Sequence, residues 1–557
     1  MRITRTSGGL KVHAVAGTYV VMLGFDLPRQ KCNGLQGFSI HRADHEDGTS
    51  KFLEGMKCFE ETDPGFAAGA TYPTSEQPIQ SFQWSDYSAQ PGRTYTYTVA
   101  ALKGSPTSLQ VHVKTSVEVT TESPENGDHD IFFNAGIAAS QEYARRFGNK
   151  PPEDVEPEGA AFDWLSRGLY EAIESCVTSC KKGEGLRIAA YEFHYEPFLQ
   201  LLKQADKDGV DVQVVFDNRK DKPGKANRKA ITKAGIGSFC KPRKKGKSYI
   251  SHNKFIVKLN KQGKPVSVWT GGTNFSIGGI FGHSNVGHLV EDKAVAEKFL
   301  DYWKLLHQDL DTPEMRDEVE VLTPLPTGKP PKDVTTVLFS PRNGLGALEW
   351  YAELAMGAKE GLLMTFAFGI NDTFKEVYRS SDAPFRLALL EKATRAMEPG
   401  PELEAEKKKI QKLRNMKENT FAIGDFIRTN KIDGWLKEKL TNLNTNVRYV
   451  HNKFMLIDPL SNDPIVVAGS ANFSDASTKN NDENMVVTRG NLRVADIYLG
   501  EFMRLYSHHA FRESRKFHEA GEEPPQPKHL KTGDWWKEYF GETEQSVRRQ
   551  FFARSQA

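Results

Sequence analysis

Short runs of alternating apolar and polar residues fill the first part of the chain: Thr18–Leu23, Gly37–Arg42, Gln80–Trp84, Thr94–Ala101 and Leu109–Thr115. Successive side chains of a strand face opposite ways, so a period of two predicts strands. Turn residues separate them at Asp26–Pro28, Pro91-Gly92 and Gly104–Pro106, which predicts an all-β sandwich over residues 1–118. The polar stretch Thr120–Asp130 then predicts a linker, 119–135, and a sandwich separable from the rest of the chain. Beyond it the period changes. Ala160–Cys176 and Phe198–Lys207 repeat at helical spacing, whereas Leu186–Phe193 and Val210–Phe216 are β-like runs, the second nearly continuous in apolar residues. Strands alternating with helices predict an α/β body, a parallel or mixed sheet covered by helices.

This grammar starts twice. Gly361–Gly369 matches Gly185–Phe193 in character, and Tyr249–Phe255 parallels Tyr449–Phe454 around a shared His-Asn-Lys. Each histidine is followed, 22 and 21 residues on, by an asparagine, in Gly271-Gly272-Thr273-Asn274 and Gly469-Ser470-Ala471-Asn472. A repeat at a period of about 200 residues predicts a duplicated domain rather than a solenoid. The boundaries expected are 136–330 for the first half and 331–515 for the second, with Lys375–Asn446 an insertion in the second. The tail, 516–557, carries Trp535, Trp536, Tyr539 and Phe540 and is expected to pack on the catalytic body.

Composition changes this picture little. The chain has 557 residues, 26% of them charged and 38% hydrophobic, which exceeds one ordinary core and excludes a wholly disordered chain. No run reaches the length of a membrane span, so any membrane contact is expected to be peripheral. Basic Met1–Lys11 followed by apolar Val12–Phe25 mimics a secretory leader. Gly17 and Gly24 interrupt it and no small-residue cleavage site follows, so the expectation is strands and a cytoplasmic location, with secretion the alternative. Five scattered cysteines (Cys32, Cys58, Cys176, Cys180 and Cys240) read as buried thiols, not as a disulfide or zinc framework. The net charge of +2 is uninformative, but Arg219–Lys247 holds 12 Lys or Arg against one acid, Asp221. It leads into the first His-x-Lys. That position suits either a solvated loop or an electrostatic guide for a polyanion, nucleic acid included.

The chemistry lies in the repeat. Residues i and i+2 of a strand project together, so His252 pairs with Lys254, and His451 with Lys453. Small residues before Asn274 and Asn472 let backbone approach a ligand, and Ser276 and Ser474 lie close by in sequence. Two imidazoles, two ammonium groups and two amides suit a phosphodiester: lysine and asparagine bind the non-bridging oxygens, one imidazole attacks phosphorus, and the other protonates the leaving oxygen. No metal and no cofactor is expected, because a protonated lysine donates and cannot ligate. A single histidine would more often be structural, whereas two copies in register favour catalysis. His194, His283 and His288 are expected in plain loop roles.

His-x-Lys followed by Gly-(Gly/Ser)-x-Asn, present twice, resembles the signature of the phospholipase D superfamily over roughly residues 136–515. The resemblance implies two α/β halves related by a pseudo-twofold axis with one shared site. It also implies a metal-independent, two-step hydrolysis or transfer through a phosphohistidine, acting on phospholipid or another phosphodiester. Two departures stand out. The family's aspartate five residues after the lysine is present as Asp458, but the first copy has Leu259. The acid about 11 residues after the asparagine is Glu483 in the second copy and Asn285 in the first. In the family such an acid can orient the histidine of the opposite half. That would make His252 the nucleophile, oriented by Glu483, and His451 the general acid. The first 118 residues resemble a fibronectin type III or similar immunoglobulin-like sandwich, through Trp84 and the Pro91–Val99 turn and strand.

Overall fold

The computed structural model describes residues 1–65, 69–125, 127–136, 140–245, 249–395, 397–424, 450–519 and 529–555. The expected β-sandwich is built from two four-stranded antiparallel sheets. One runs Arg2–Ser7, Leu10–Ala16, Val21–Asp26, Gln83–Asp86; the other runs Ser108–Thr120, Thr94–Ser105, Leu35–Asp44, Ser50–Phe52. Its core is the inward set of those alternating runs, including Leu23, Phe25, Phe38, Tyr97 and Val99, all fully buried.

Two seven-stranded mixed sheets come next, with one strand order. In the first half it is His129–Phe133, Val286–Val290, Pro265–Gly271, Lys254–Leu259, Gly185–Ala190, Asp211–Asp217, Cys240–Arg243. In the second it is Thr336–Ser340, Glu483–Arg489, Ile465–Gly469, Phe454–Ile457, Gly361–Phe366, Phe385–Leu390, Asn419–Ile423. The duplication in the sequence is thus a duplication of topology. The inner faces close on two long helices. Lys293–Gln308 packs Phe299 and Tyr302 against Phe255 of the first sheet and Phe339 of the second. Leu492–Glu519 packs Tyr498 and Phe502 against Phe454.

Four expectations are corrected. The linker 119–135 already contains a strand: Ile131-Phe132-Phe133 is buried and pairs with Val286–His288. It was hidden because only three apolar residues stand together, straight after a polar, acidic stretch. The supposed insertion at Lys375–Asn446 supplies two strands of the second sheet, Phe385–Leu390 and Asn419–Ile423, so this part is integral; 425–446 lie outside the described residues. Third, the tail does not simply cover the catalytic body. Trp535, Trp536, Tyr539 and Phe540 join the sandwich core, where Phe82 meets the Trp535 ring at 5.8 Å, and Phe551 and Phe552 of helix Glu544–Ala553 pack on Phe385 of the second half. Fourth, the sandwich is not a detachable unit. Val15, Val20 and Met22 belong to the same buried cluster as Tyr498 and Phe454, Arg2 pairs with buried Asp496 at 2.7 Å, and Gly24 lies so close to Phe552 that a Cβ there would meet its carbonyl at 2.2 Å. Each large apolar side chain shared in this way stabilises the assembly by roughly 2–3 kcal/mol.

Candidate active site

Both His-Asn-Lys segments sit at the mouth of a strand pair. Lys254 opens the strand Lys254–Leu259, and Lys453 immediately precedes Phe454–Ile457. In each half an acid at the end of a neighbouring strand accepts the backbone N–H just before the histidine: Asp217 takes that of Ser251 at 3.1 Å, and Glu391 that of Val450 at 2.8 Å. The halves also clasp each other there, with Ser251 bridged to Asp482 and Ser284 to Val450 by single parallel β-bridges. The two motifs are thereby brought to one interface, and both histidines and both lysines are buried, none more than 7% exposed.

Each histidine is held by a side chain of the opposite half. Nδ1 of His252 lies 2.8 Å from a Glu483 carboxylate oxygen, and Nδ1 of His451 lies 2.9 Å from Asn285 Oδ1. Both partners accept, so both rings carry their proton on Nδ1 and leave Nε2 bare. The two holds differ in charge. Glu483, fully buried, also accepts from Ser470 at 2.7 Å and Asn481 at 3.4 Å. Asn285 is neutral and passes its amide N–H groups to Gly279 O at 2.7 Å and to His283 Nδ1 at 3.1 Å. A positive charge on His252 therefore has a buried counter-charge bonded to its ring, whereas His451 has the neutral Asn285 in that place.

Burial pushes the His252 imidazole down to about 4, against the upward pull of Glu483, and pushes the Lys254 ammonium down to about 7. His451 and Lys453 lie well below their ordinary values, first through burial and then through the neighbouring cations. Lys254 donates to the carbonyl of His252, and Lys453 to that of His451 at 2.5 Å. Asn274 and Asn472 each leave a buried amide oxygen with no partner among the described residues.

Of the secondary residues, Ser276 donates to Glu192 at 2.6 Å and accepts from Gly279, bracing the turn after Asn274. Ser474 caps the short helix Asp475–Lys479, accepting from Ser477 N at 3.3 Å. Asp458 sits at the far end of its strand from His451. Its carboxylate collects the N–H groups of Lys359, Glu360 and Gly361 at 2.7–3.0 Å, so it orders a turn and takes no place at the centre. His288 is in the core, linked to His129 at 2.8 Å and to Tyr498, and His194 is half-buried, held by its backbone N–H on Phe275 O.

The plain loop role expected for His283 is corrected by the structure. Its ring stacks on His451 at 4.4 Å and 8°, and burial holds it neutral, down to about 3. Sequence reading also passes over Tyr191, whose ring packs edge-on against His252 at 4.7 Å and lies 4.8 Å below Lys254 Nζ. Its place just past the strand that pairs with Lys254 is the one available signal.

The basic segment divides. Arg243 is buried and tied to Asp309 at 3.1 Å and Asp482 at 3.2 Å, joining the halves instead of facing solvent, and Arg228 binds the Asn218 and Arg219 carbonyls. Lys220, Lys222, Lys225, Lys229, Lys233, Lys241, Lys244 and Lys245 are exposed. Lys247 lies outside the described residues.

The family model for the phospholipase D-like domain of cardiolipin synthase matches residues 173–306 and 403–506. No curated protein matches the chain. Among solved structures, phosphatidylserine synthase of Haemophilus influenzae is similar at 10% identity over 64% of this chain and 92% of that one, with TM-score 0.43. Nuc of Salmonella typhimurium, a phospholipase D family member, is similar at 27% identity over 25% and 87%, TM-score 0.21. Polyphosphate kinase of Porphyromonas gingivalis is similar at 11% identity over 58% of this chain, TM-score 0.37, and the match spans only 46% of that kinase. One match falls in each of the two halves of shared strand order, so the chain carries two phospholipase D-like domains.

Proposed function

We propose that the chain is a metal-independent phosphodiesterase in which His252 is the nucleophile and His451 the general acid and base. The observation that carries the assignment is the difference in charge between the two holds, Glu483 on His252 and Asn285 on His451. When Nε2 of His252 bonds to phosphorus, its ring becomes cationic, and Glu483 is the buried carboxylate beside it. Lys254, Lys453 and the amides of Asn274 and Asn472 are the groups for the non-bridging oxygens. The anionic substrate supplies the negative charge that lets His451 hold a proton. His451 gives that proton to the leaving oxygen as the P–O bond breaks. It then takes one from water, or from an alcohol in a transfer reaction, as that oxygen attacks phosphorus and the P–N bond breaks.

For the substrate we favour a phospholipid. At the strand ends that carry the motifs, the first half presents exposed lysines such as Lys220 and Lys222, and the second presents Phe368, 52% exposed. A cationic rim opposite an apolar one suits an amphiphile with an anionic head. The same lysines favour the second reading, a nuclease. A parallel assay on phosphatidylcholine liposomes and plasmid DNA, both in EDTA, separates them. Choline release with intact plasmid supports the first reading, and nicked plasmid alone supports the second. Activity lost in EDTA and restored by magnesium or zinc defeats the metal-independent reaction.

A further inference from the structure

The two halves differ along one edge of the catalytic centre. Asp217 and Glu391 do the same work, each accepting the backbone N–H just before its histidine. Two residues further on, the first half has Arg219 where the second has Ala393. Counted along the matching strands Gly185–Ala190 and Gly361–Phe366, Tyr191 corresponds to Ala367. The first half thus sets a phenol and a guanidinium where the second has two methyl groups.

Hydrogen bonds fix the backbone of both. Asn227, fully buried, donates to the carbonyls of Tyr191 at 2.7 Å and Asp217 at 3.0 Å, and so ties the two loops together. Arg228 donates to the Arg219 carbonyl at 3.1 Å, and Gly224 lies so close that an added Cβ would meet that oxygen at 2.2 Å. The Arg219 side chain reaches back over Tyr191, its Cζ 6.0 Å from the ring centre, and Lys254 Nζ meets the same ring at 4.8 Å. The contacts Arg219 makes are long, 3.4 Å each to the Asp217 carboxylate, the Tyr191 hydroxyl and the Lys222 carbonyl. Its Nη1 has no partner among the described residues, and the side chain is 28% exposed. A guanidinium fork suits the oxygens of a phosphate, and this one stands one ring away from a lysine of the catalytic centre.

We propose that Arg219, backed by Tyr191, binds a second phosphate of the substrate beside the phosphodiester that reacts, so that the preferred substrate is a phospholipid whose head group carries a further phosphate. The proposal rests on the phosphodiesterase reading of the centre and deepens it. A head group fits this place better than a nucleic acid strand. The Tyr191 ring is already engaged by His252, Lys254 and Arg219, so it is not the open platform on which a base stacks.

Calorimetric titration of the full chain with glycerol 3-phosphate and with glycerol 1,3-bisphosphate tests it. The bisphosphate should bind about tenfold or more tightly, the gain expected from one charge-assisted arginine contact. Arg219→Gln, and Arg219→Ala, which installs the second half's residue, should each cut that advantage to about twofold or less. Both should leave the Kd of glycerol 3-phosphate little changed, and either decides if the other does not fold. Lys229→Gln, an equal change of charge on the exposed face of helix Gly224–Ala234, should keep the advantage in full. Equal affinity of the two ligands for the wild-type chain overturns the proposal. So does an advantage that survives the loss of Arg219, or one that Lys229→Gln removes as well. An advantage found only between a 5′-phosphorylated and an unphosphorylated dinucleotide would move the second phosphate to nucleic acid and overturn the lipid head group. If glycerol 3-phosphate itself does not bind, the phosphodiesterase reading falls and takes this proposal with it.

Discussion

Glu483 reaches across the interface between the halves and holds Nδ1 of His252 at 2.8 Å. The same carboxylate raises the proton affinity of both His252 and Lys254 against the effect of burial. Free-enzyme kcat/KM should therefore rise with pH through about 4, as His252 becomes neutral, and fall above about 7, as Lys254 loses its charge. Glu483→Gln keeps a hydrogen-bond acceptor for the ring but removes the charge. Both limbs should move to lower pH, and the maximum should fall by roughly 10²–10⁴. Limbs that stay in place would detach Glu483 from the titration.

The two histidines should not be interchangeable. His252→Ala and His451→Ala should each cost on the order of 10³-fold or more, with the double variant little worse, because both act in one displacement. With a p-nitrophenyl phosphodiester, whose leaving group needs little acid, His451→Ala should accumulate a phosphohistidine on His252, seen as intact mass after an alkaline quench. An adduct on His451 in the His252→Ala protein would reverse the roles.

His283 should matter through His451. Removing its ring in His283→Ala strips one face of His451 and leaves the Asn285 amide short of an acceptor, an effect of about 1–3 kcal/mol. That predicts kcat reduced about tenfold or more with KM little changed, and partial recovery in His283→Phe, which keeps a stacked ring. Wild-type kcat in His283→Ala would make the stack incidental.

Asp458→Ala should lower stability, not turnover. Three N–H groups lose a charged acceptor, worth roughly 2–3 kcal/mol in all, so the melting temperature of a chain this long should fall by about 2 °C while kcat of the folded protein holds. A kcat collapse with unchanged melting would refute the turn-ordering role.

What could be read in the sequence was what is local and repeated. His252 and Lys254 declare themselves through a short local spacing at the start of a strand, and the copy at His451 and Lys453 repeats it. What could not be read depends on contacts distant in sequence. The repeat aligns Asn285 with Glu483, but only the fold sets its amide oxygen against His451, 166 positions on. His283 was hidden in the same way. Arg243 looked like one more surface charge in a basic run, and only Asp482, from the other half, turns it inward. The strand at Ile131–Phe133 was masked by its shortness and the acidic stretch before it, and Trp535 gave no sign that its partner is Phe82.

That last contact sets an order of events during synthesis. The sandwich is made before the two halves, yet Trp535 and Trp536, which follow them, complete its core. An N-terminal domain ordinarily closes while the ribosome is still translating its successors. Here the sandwich stays short of two indoles until both halves have emerged, and the apolar floor they cover stays open meanwhile. Cooperative closure waits for the segment that carries the tryptophans, and a nonsense codon before Trp535 would leave the sandwich unfinished.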